Sequence, residues 1–240
     1  MPQGFQEPPP RRRVRQAMPY RRLSALIAAT TLAACAPGAS DYEDPFIATG
    51  EVIALSGGQA GPAAACLTCH GIDGEGDGVE TPRLAGLDEG YMLKQLNDYG
   101  AGLRPHDQMS PIARRLSDAD RARVARYYAR MPARAAAPAV PARAALIAEG
   151  RPIYHQGLPG QVVATCAACH GADGQGVGSA NPQLTGQPPA YLAAQLRLWK
   201  NRDRRNDPLD AMGAVARPLS DRQIEAVSAY AASLPHPSPE

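Results

Sequence analysis

The pentapeptide Cys66-Leu67-Thr68-Cys69-His70 recurs as Cys166-Ala167-Ala168-Cys169-His170, and the offset of 100 residues extends well beyond it. Ala48, Gly50 and Ile53 match Ala148, Gly150 and Ile153. Gly71, Asp73-Gly74, Pro82, Gly86 and Tyr91 match Gly171, Asp173-Gly174, Pro182, Gly186 and Tyr191. Further on, Met109 aligns with Met212, and Leu116-Ser117-Asp118 with Leu219-Ser220-Asp221, so the second copy carries a three-residue insertion. Self-similarity over this span means one unit written twice. The Pro/Ala run from Pro132 to Pro141 separates the copies and is expected to be extended and semi-rigid.

Within each copy the apolar spacing is helical. Val124, Tyr127, Tyr128 and Met131, and in the second copy Ile224, Val227, Ala231 and Leu234, recur at the period of an amphipathic terminal helix. Ser117 followed by Asp120 is an acidic relative of a capping box, and Ser220 followed by Gln223 is a capping box proper. Met92, Leu96 and Tyr99, and Leu192, Leu196 and Trp199, mark a middle helix, the second entered through Pro188-Pro189. A first helix precedes each Cys pair, and Pro152 is expected to shorten or kink it in the second copy. No useful strand alternation appears, so the predicted fold is all-α, twice.

Two Cys three positions apart with His next in line is the spacing for c-type haem attachment. The thiols add across the porphyrin vinyl groups and the adjoining imidazole reaches the iron. Zinc also takes two Cys pairs, but here they stand about a hundred residues apart, and zinc leaves His70 and His170 without a task. Structural disulfides leave the same histidines unexplained, and a thiol oxidoreductase needs a βαβ context that is missing. The expected cofactors are therefore two haem c groups, bound through Cys66, Cys69, Cys166 and Cys169 with His70 and His170 as axial ligands.

Composition fits that reading. Only 12 of 240 residues are aromatic, while Pro and Gly number 24 and 23, so side chains alone make a thin core. The apolar face of a haem in each unit makes good the shortfall. The formal charge of +2 misleads, because residues 1–35 carry six Arg against one Glu, which leaves the rest of the chain at −3. That sign gives no reason to expect nucleic-acid binding, which needs many Lys and Arg to neutralise phosphates.

The Arg-rich N-terminus is an export signal. Arg11, Arg12, Arg13, Arg15, Arg21 and Arg22 precede an apolar stretch from Leu23 to Ala34. That stretch is shorter than the roughly 20 residues a spanning helix needs. Met18 is an alternative start that keeps the signal intact. Leu32-Ala33-Ala34-Cys35 resembles the bacterial lipobox, which implies lipidation of Cys35 after cleavage and anchoring by acyl chains. Sec export to the periplasmic side of a bacterial membrane is expected, with Ala36 favouring the outer membrane. The expected layout is a signal peptide over 1–34, a lipidated Cys and tether over 35–45, domains over 46–131 and 144–235, a linker over 132–143 and a tail over 236–240.

On these motifs the chain resembles the class I cytochromes c over residues 46–235, and more closely the two-domain cytochrome c4 family. The resemblance implies a Met before the last helix as sixth ligand, which points to Met109 and Met212, both expected in loops. It also implies that Pro82 and Pro182, each 12 residues after its His, supply the carbonyls that fix the imidazoles. Met ligation raises the reduction potential and closes the iron to substrates. His106 is the rival ligand in the first copy, but its place in the second is taken by Leu209. Arg104 and Arg204 fall at matching places and are candidate partners for haem propionates. Tyr99 and Trp199 share a repeat position at the expected pocket.

The expected function is electron transfer rather than catalysis, with no catalytic residue of the chain's own. The cytochrome would carry electrons between a quinol-oxidising complex or other donor and a terminal oxidase or reductase. Two alternatives stand beside it: a cytochrome subunit accepting electrons from a periplasmic dehydrogenase, and a di-haem peroxidase. Residues 41–131 carry 9 basic and 14 acidic residues, against 8 and 8 in 144–240. Arg197, Lys200, Arg202, Arg204 and Arg205 form a basic cluster that is a candidate dock for an acidic redox partner.

Overall fold

Gly50 and Gly150 lie where two helices touch, and each copy of the repeat is built on that contact. A Cβ on Gly50 would stand 2.3 Å from the Arg123 carbonyl oxygen, and one on Gly150 would stand 2.0 Å from that of Ala226. Only a residue without a side chain permits this approach. The computed structural model describes residues 49–133, 144–158, 160 and 163–235. The predicted signal peptide, Cys35 and its tether, most of the linker and the tail beyond Pro235 lie outside the described residues.

In the first copy α1 (Gly50–Ser56) crosses α5 (Asp118–Ala129), with α2 (Leu67–His70), α3 (Glu89–Ala101) and α4 (Met109–Arg115) between them in sequence. The second copy repeats this as α6 (Ala144–Gln156), α7 (Cys166–His170), α8 (Pro189–Lys200), α9 (Ala211–Ala216) and α10 (Asp221–Ser233). Among the described residues there is no strand, and the β pairing consists of two isolated bridges, Leu158 with Val163 and Val177 with Asn181. The fold is all-α, as two cytochrome c domains.

The helix starts follow from local chemistry. Ser220 caps α10 with a complete capping box: its hydroxyl accepts from the Gln223 N–H, and Gln223 Oε1 accepts from the Ser220 N–H at 2.8 Å. Ser117 caps α5 differently, because Asp120 receives the Ser117 hydroxyl at 2.8 Å instead of reaching back to the backbone. One expectation is overturned. Pro152 sits inside α6, which runs for 13 residues against 7 in α1. Pro152 and Ala148, the residue whose carbonyl Pro152 cannot serve, are both exposed.

Each copy has its own core. Ile53, Leu87, Met92, Leu116, Val124 and Tyr128 pack in the first, and Ile153, Tyr154, Leu192, Leu219, Ile224 and Val227 in the second. Met92 is thus core filling, and Met131 packs at the edge of the same cluster. Each fully buried aliphatic side chain contributes about 1.5–3 kcal/mol relative to exposure. Both copies belong to one compact unit.

Candidate haem centres

Each Cys-x-x-Cys-His segment folds as a single short helix that presents thiols and imidazole together. His70 and His170 are buried, and each Nδ1 faces a proline carbonyl: Pro82 O at 2.9 Å and Pro182 O at 2.8 Å. A carbonyl only accepts, so Nδ1 carries the proton and Nε2 keeps its lone pair for a metal. Burial pushes both imidazoles below their ordinary pKa, against the opposing pull of the two carbonyls. Both are therefore held in the neutral form that a metal site requires. None of these four cysteines is in a disulfide. Burial raises Cys66 and Cys166 to about 11, while Cys69 and Cys169 lie at the surface.

Met109 and Met212 stand not in loops but at the starts of short helices, α4 and α9, and both are half-buried. Different groups hold them. The Met109 N–H donates to His106 Nδ1 at 3.2 Å, whereas the Met212 N–H donates to Asp207 Oδ2 at 2.7 Å. His106 is an exposed side chain that acts as a cap here. The three-residue insertion lies in the corresponding stretch of the second copy, where Leu209 and Asp210 both have φ of 57°. Trp199 Nε1 donates to Asp207 Oδ1 at 2.9 Å, so its polar edge is engaged by the carboxylate that caps Met212.

Arg104 and Arg204 meet where the copies join. Arg104 donates to Gln95 Oε1 at 3.0 Å, Gln195 Oε1 at 2.7 Å and the Tyr191 hydroxyl at 3.2 Å. Arg204 donates to the same two amides, at 3.1 Å and 2.6 Å, and to Asn206 Oδ1 at 2.9 Å. Each stacks on its repeat-matched aromatic, Arg104 at 4.6 Å from the Tyr99 centroid and Arg204 at 3.9 Å from that of Trp199. Both cations are 5% exposed or less, and no carboxylate among the described residues pairs with either. Burial pushes the Tyr91 phenol up, yet the Arg204 and Arg104 guanidiniums outweigh it and hold it below its ordinary value. Two buried cations with only neutral partners are suited to an anionic group such as a propionate.

The expected basic cluster does not form one patch. Arg204 is buried, Arg197 pairs with Glu225 at 3.1 Å, and Lys200 binds the Leu219 carbonyl and Asp221. Arg202 and Arg205 remain exposed.

Several residues escaped the sequence reading. Gln95 and Gln195 occupy one repeat position, a polar identity within a helix that signals their shared role. Arg83 is fully buried and bridges the copies, donating to Gln183 Oε1 at 2.9 Å, Thr185 O at 3.2 Å and the Ala85 carbonyl. Gln187, 5% exposed, exchanges two hydrogen bonds with the Arg83 backbone. Neither Arg83 nor Gln187 has its like in the other copy, where Gln183 and Leu87 stand, so the repeat gave no signal for them.

The paired helical units and their Cys-x-x-Cys-His segments define a di-haem c-type cytochrome. The chain belongs to the cytochrome c family, whose model matches residues 55–131 and again 147–235. It is 42% identical to the thiosulfate dehydrogenase electron acceptor of Stutzerimonas stutzeri, over 78% of this chain and 87% of that one. It is 36% identical to cytochrome c4 of Pseudomonas aeruginosa, over 74% and 87%. Among solved structures, reduced cytochrome c4 from Pseudomonas stutzeri matches with a TM-score of 0.66 and 34% identity, over 75% of this chain and 98% of that one. The thiosulfate dehydrogenase TsdBA of Marichromatium purpuratum matches with a TM-score of 0.69 and 37% identity; the match covers 78% of this chain but 40% of that longer one. The chain is a cytochrome c4-like electron carrier with two haem c groups as its cofactors.

Proposed function

We propose that this cytochrome takes electrons from a thiosulfate-oxidising dehydrogenase in the periplasm and passes them to a terminal oxidase or reductase. The observation that carries this reading is the likeness to a protein named as an electron acceptor of thiosulfate dehydrogenase, along most of both chains. It favours the dehydrogenase as donor over a quinol-oxidising complex. The haem supplies a one-electron iron couple when bound.

The chain's own residues do the rest. Cys66, Cys69, Cys166 and Cys169 form the thioethers, and His70 and His170 give Nε2 to the irons. Met109 and Met212 would supply further iron ligands, which opposes a peroxidase reading and leaves the protein a carrier without catalytic residues. Pro82 and Pro182 hold the imidazoles in one tautomer. Arg104 and Arg204, buried without a carboxylate, receive propionates at the junction of the copies. Residues 1–34 direct Sec export and Cys35 carries a lipid that ties the protein to the periplasmic face of the outer membrane. No helix among the described residues is long and apolar enough to cross a membrane.

The test is stopped-flow reduction of the oxidised holoprotein. Thiosulfate with a thiosulfate dehydrogenase should reduce both haems, and thiosulfate alone should not. Reduction by a quinol-oxidising complex with none by the dehydrogenase would overturn the choice of donor. For the anchor, Cys35→Ser should release the protein from the membrane fraction; unchanged retention would remove Cys35 from that role.

A further inference from the structure

One peptide group joins the first haem site to the second copy. The Pro82 carbonyl accepts from His70 Nδ1–H at 2.9 Å, and the N–H of that same peptide unit, on Arg83, donates to Gln187 Oε1 at 3.0 Å. Gln187 Nε2 then donates back to the Arg83 carbonyl at 2.9 Å. A single buried amide side chain thus grips both polar groups of Arg83 across the junction. The Arg83 guanidinium fixes the same segment through Gln183, Thr185 and Ala85. The arrangement runs one way. The position of Gln187 in the first copy is Leu87, which has no acceptor, so no such bond can be returned to the peptide between Pro182 and Gln183.

We propose that Gln187 is a positioning residue for His70, so that the second copy sets how strongly the first haem's proximal imidazole is held; this rests on His70 and Met109 ligating that haem. Hydrogen bonds in series polarise one another. Donation from the Arg83 N–H into Gln187 makes the Pro82 carbonyl a stronger acceptor. A stronger acceptor draws the Nδ1 proton of His70 and makes the imidazole a more electron-rich ligand, which favours oxidised iron. Docking of the copies therefore lowers the first haem's potential and leaves the second haem's proximal histidine untouched. Two otherwise similar centres become unequal without any change in ligand set.

The experiment is a spectroelectrochemical titration of the holoprotein, with the haems told apart by the NMR signals of their axial ligands. Gln187→Leu should raise the first haem's potential, shifting its one-electron equilibrium by roughly threefold, less than the roughly tenfold or greater effect of losing a direct outer-shell partner. It should also move the His70 Nδ1–H resonance and leave the second haem in place. Gln187→Glu gives up the Nε2 bond to the Arg83 carbonyl but offers the Arg83 N–H a stronger, anionic acceptor, and should shift the first haem in the opposite direction. A first potential unmoved by both variants, or both haems displaced alike, would overturn the proposal. If Gln187→Leu yields no holoprotein, Gln187→Glu decides: an unchanged or raised first potential refutes it. Failure of the ligation itself is read separately, since carbon monoxide would then bind the reduced wild-type first haem.

Discussion

Arg83 Nη2 donates to Gln183 Oε1 at 2.9 Å, joining the two residues that hold the same place in the two repeats. The guanidinium is fully buried, and no carboxylate among the described residues pairs with it. Burial pulls its pKa down to about 10, so it remains a cation at neutral pH. The Arg83 guanidinium bonds Gln183 and Thr185 of the second copy while the Arg83 backbone follows Pro82 in the first, so one buried positive charge lies at the junction of the copies. Arg83→Gln should lower both midpoint potentials, because removing a positive charge favours the ferric state. A buried charge is weakly screened, so titrations at low and high salt should give the same shift. A shift that disappears at high salt would place the effect at the surface.

The glycine contacts predict stability. Gly150→Ala puts a methyl group against the Ala226 carbonyl, and Gly50→Ala puts one against that of Arg123. Backbone cannot rotate away as a side chain can, so α6 must shift on α10, and α1 on α5. Overpacking of this kind costs about 1–3 kcal/mol. Thermal unfolding followed at the Soret band should show a lower midpoint for each variant; an unchanged midpoint would mean the helices have slack there.

Asp207 holds the second methionine from two sides, through Trp199 Nε1 and the Met212 N–H. Asp207→Ala should loosen α9 at its start and open the sixth position of the second haem. Carbon monoxide binding to the reduced variant measures this directly. Binding should appear at one haem, with the first left closed by Met109. His106→Ala should give the reverse pattern. A variant inert to carbon monoxide would show that neither cap is needed to keep its methionine in place.

Asp77 makes the loop after His70 sensitive to acid. Desolvation pushes its carboxyl up, but bonds from the Val79 N–H, the Thr81 hydroxyl and the Thr81 N–H outweigh it and hold the pKa below its ordinary value. A carboxyl whose folded pKa lies below its unfolded one stabilises fully above the unfolded pKa, here 3.8. The stabilisation is lost as pH falls through the folded value. Acid unfolding of Asp77→Asn should therefore be less steeply pH-dependent than wild type in that range. Because Asp77 is exposed, the difference from wild type should be small.

Much of the chemistry was legible because it is local. Histidine beside a Cys pair, a proline 12 residues on, and Ser three residues ahead of Gln each depend on neighbours along the chain. The repeat singled out Met109 and Met212 as candidates without any three-dimensional information. Three expectations failed where tertiary contacts intervened. Pro152 and Ala148 both stand on the exposed side of α6, which runs on through them. Met109 and Met212 lie in the first turns of helices, where their N–H groups bond to His106 and Asp207. Arg204 left the basic cluster because the junction between copies buries it.

The sequence alone determined an all-helical chain written twice, two haem attachment points and a family. It did so through spacing, because covalent attachment, helix capping and helical periodicity act over a few residues. Tertiary structure decided what links the copies: Arg104 and Arg204 sharing Gln95 and Gln195, Arg83 reaching Gln183, and Gln187 gripping the peptide behind His70. The partners that cross from one copy to the other stand about 90 to 110 residues apart. They pair because burial removes water from polar groups, each of which must then find a partner wherever the packing places one.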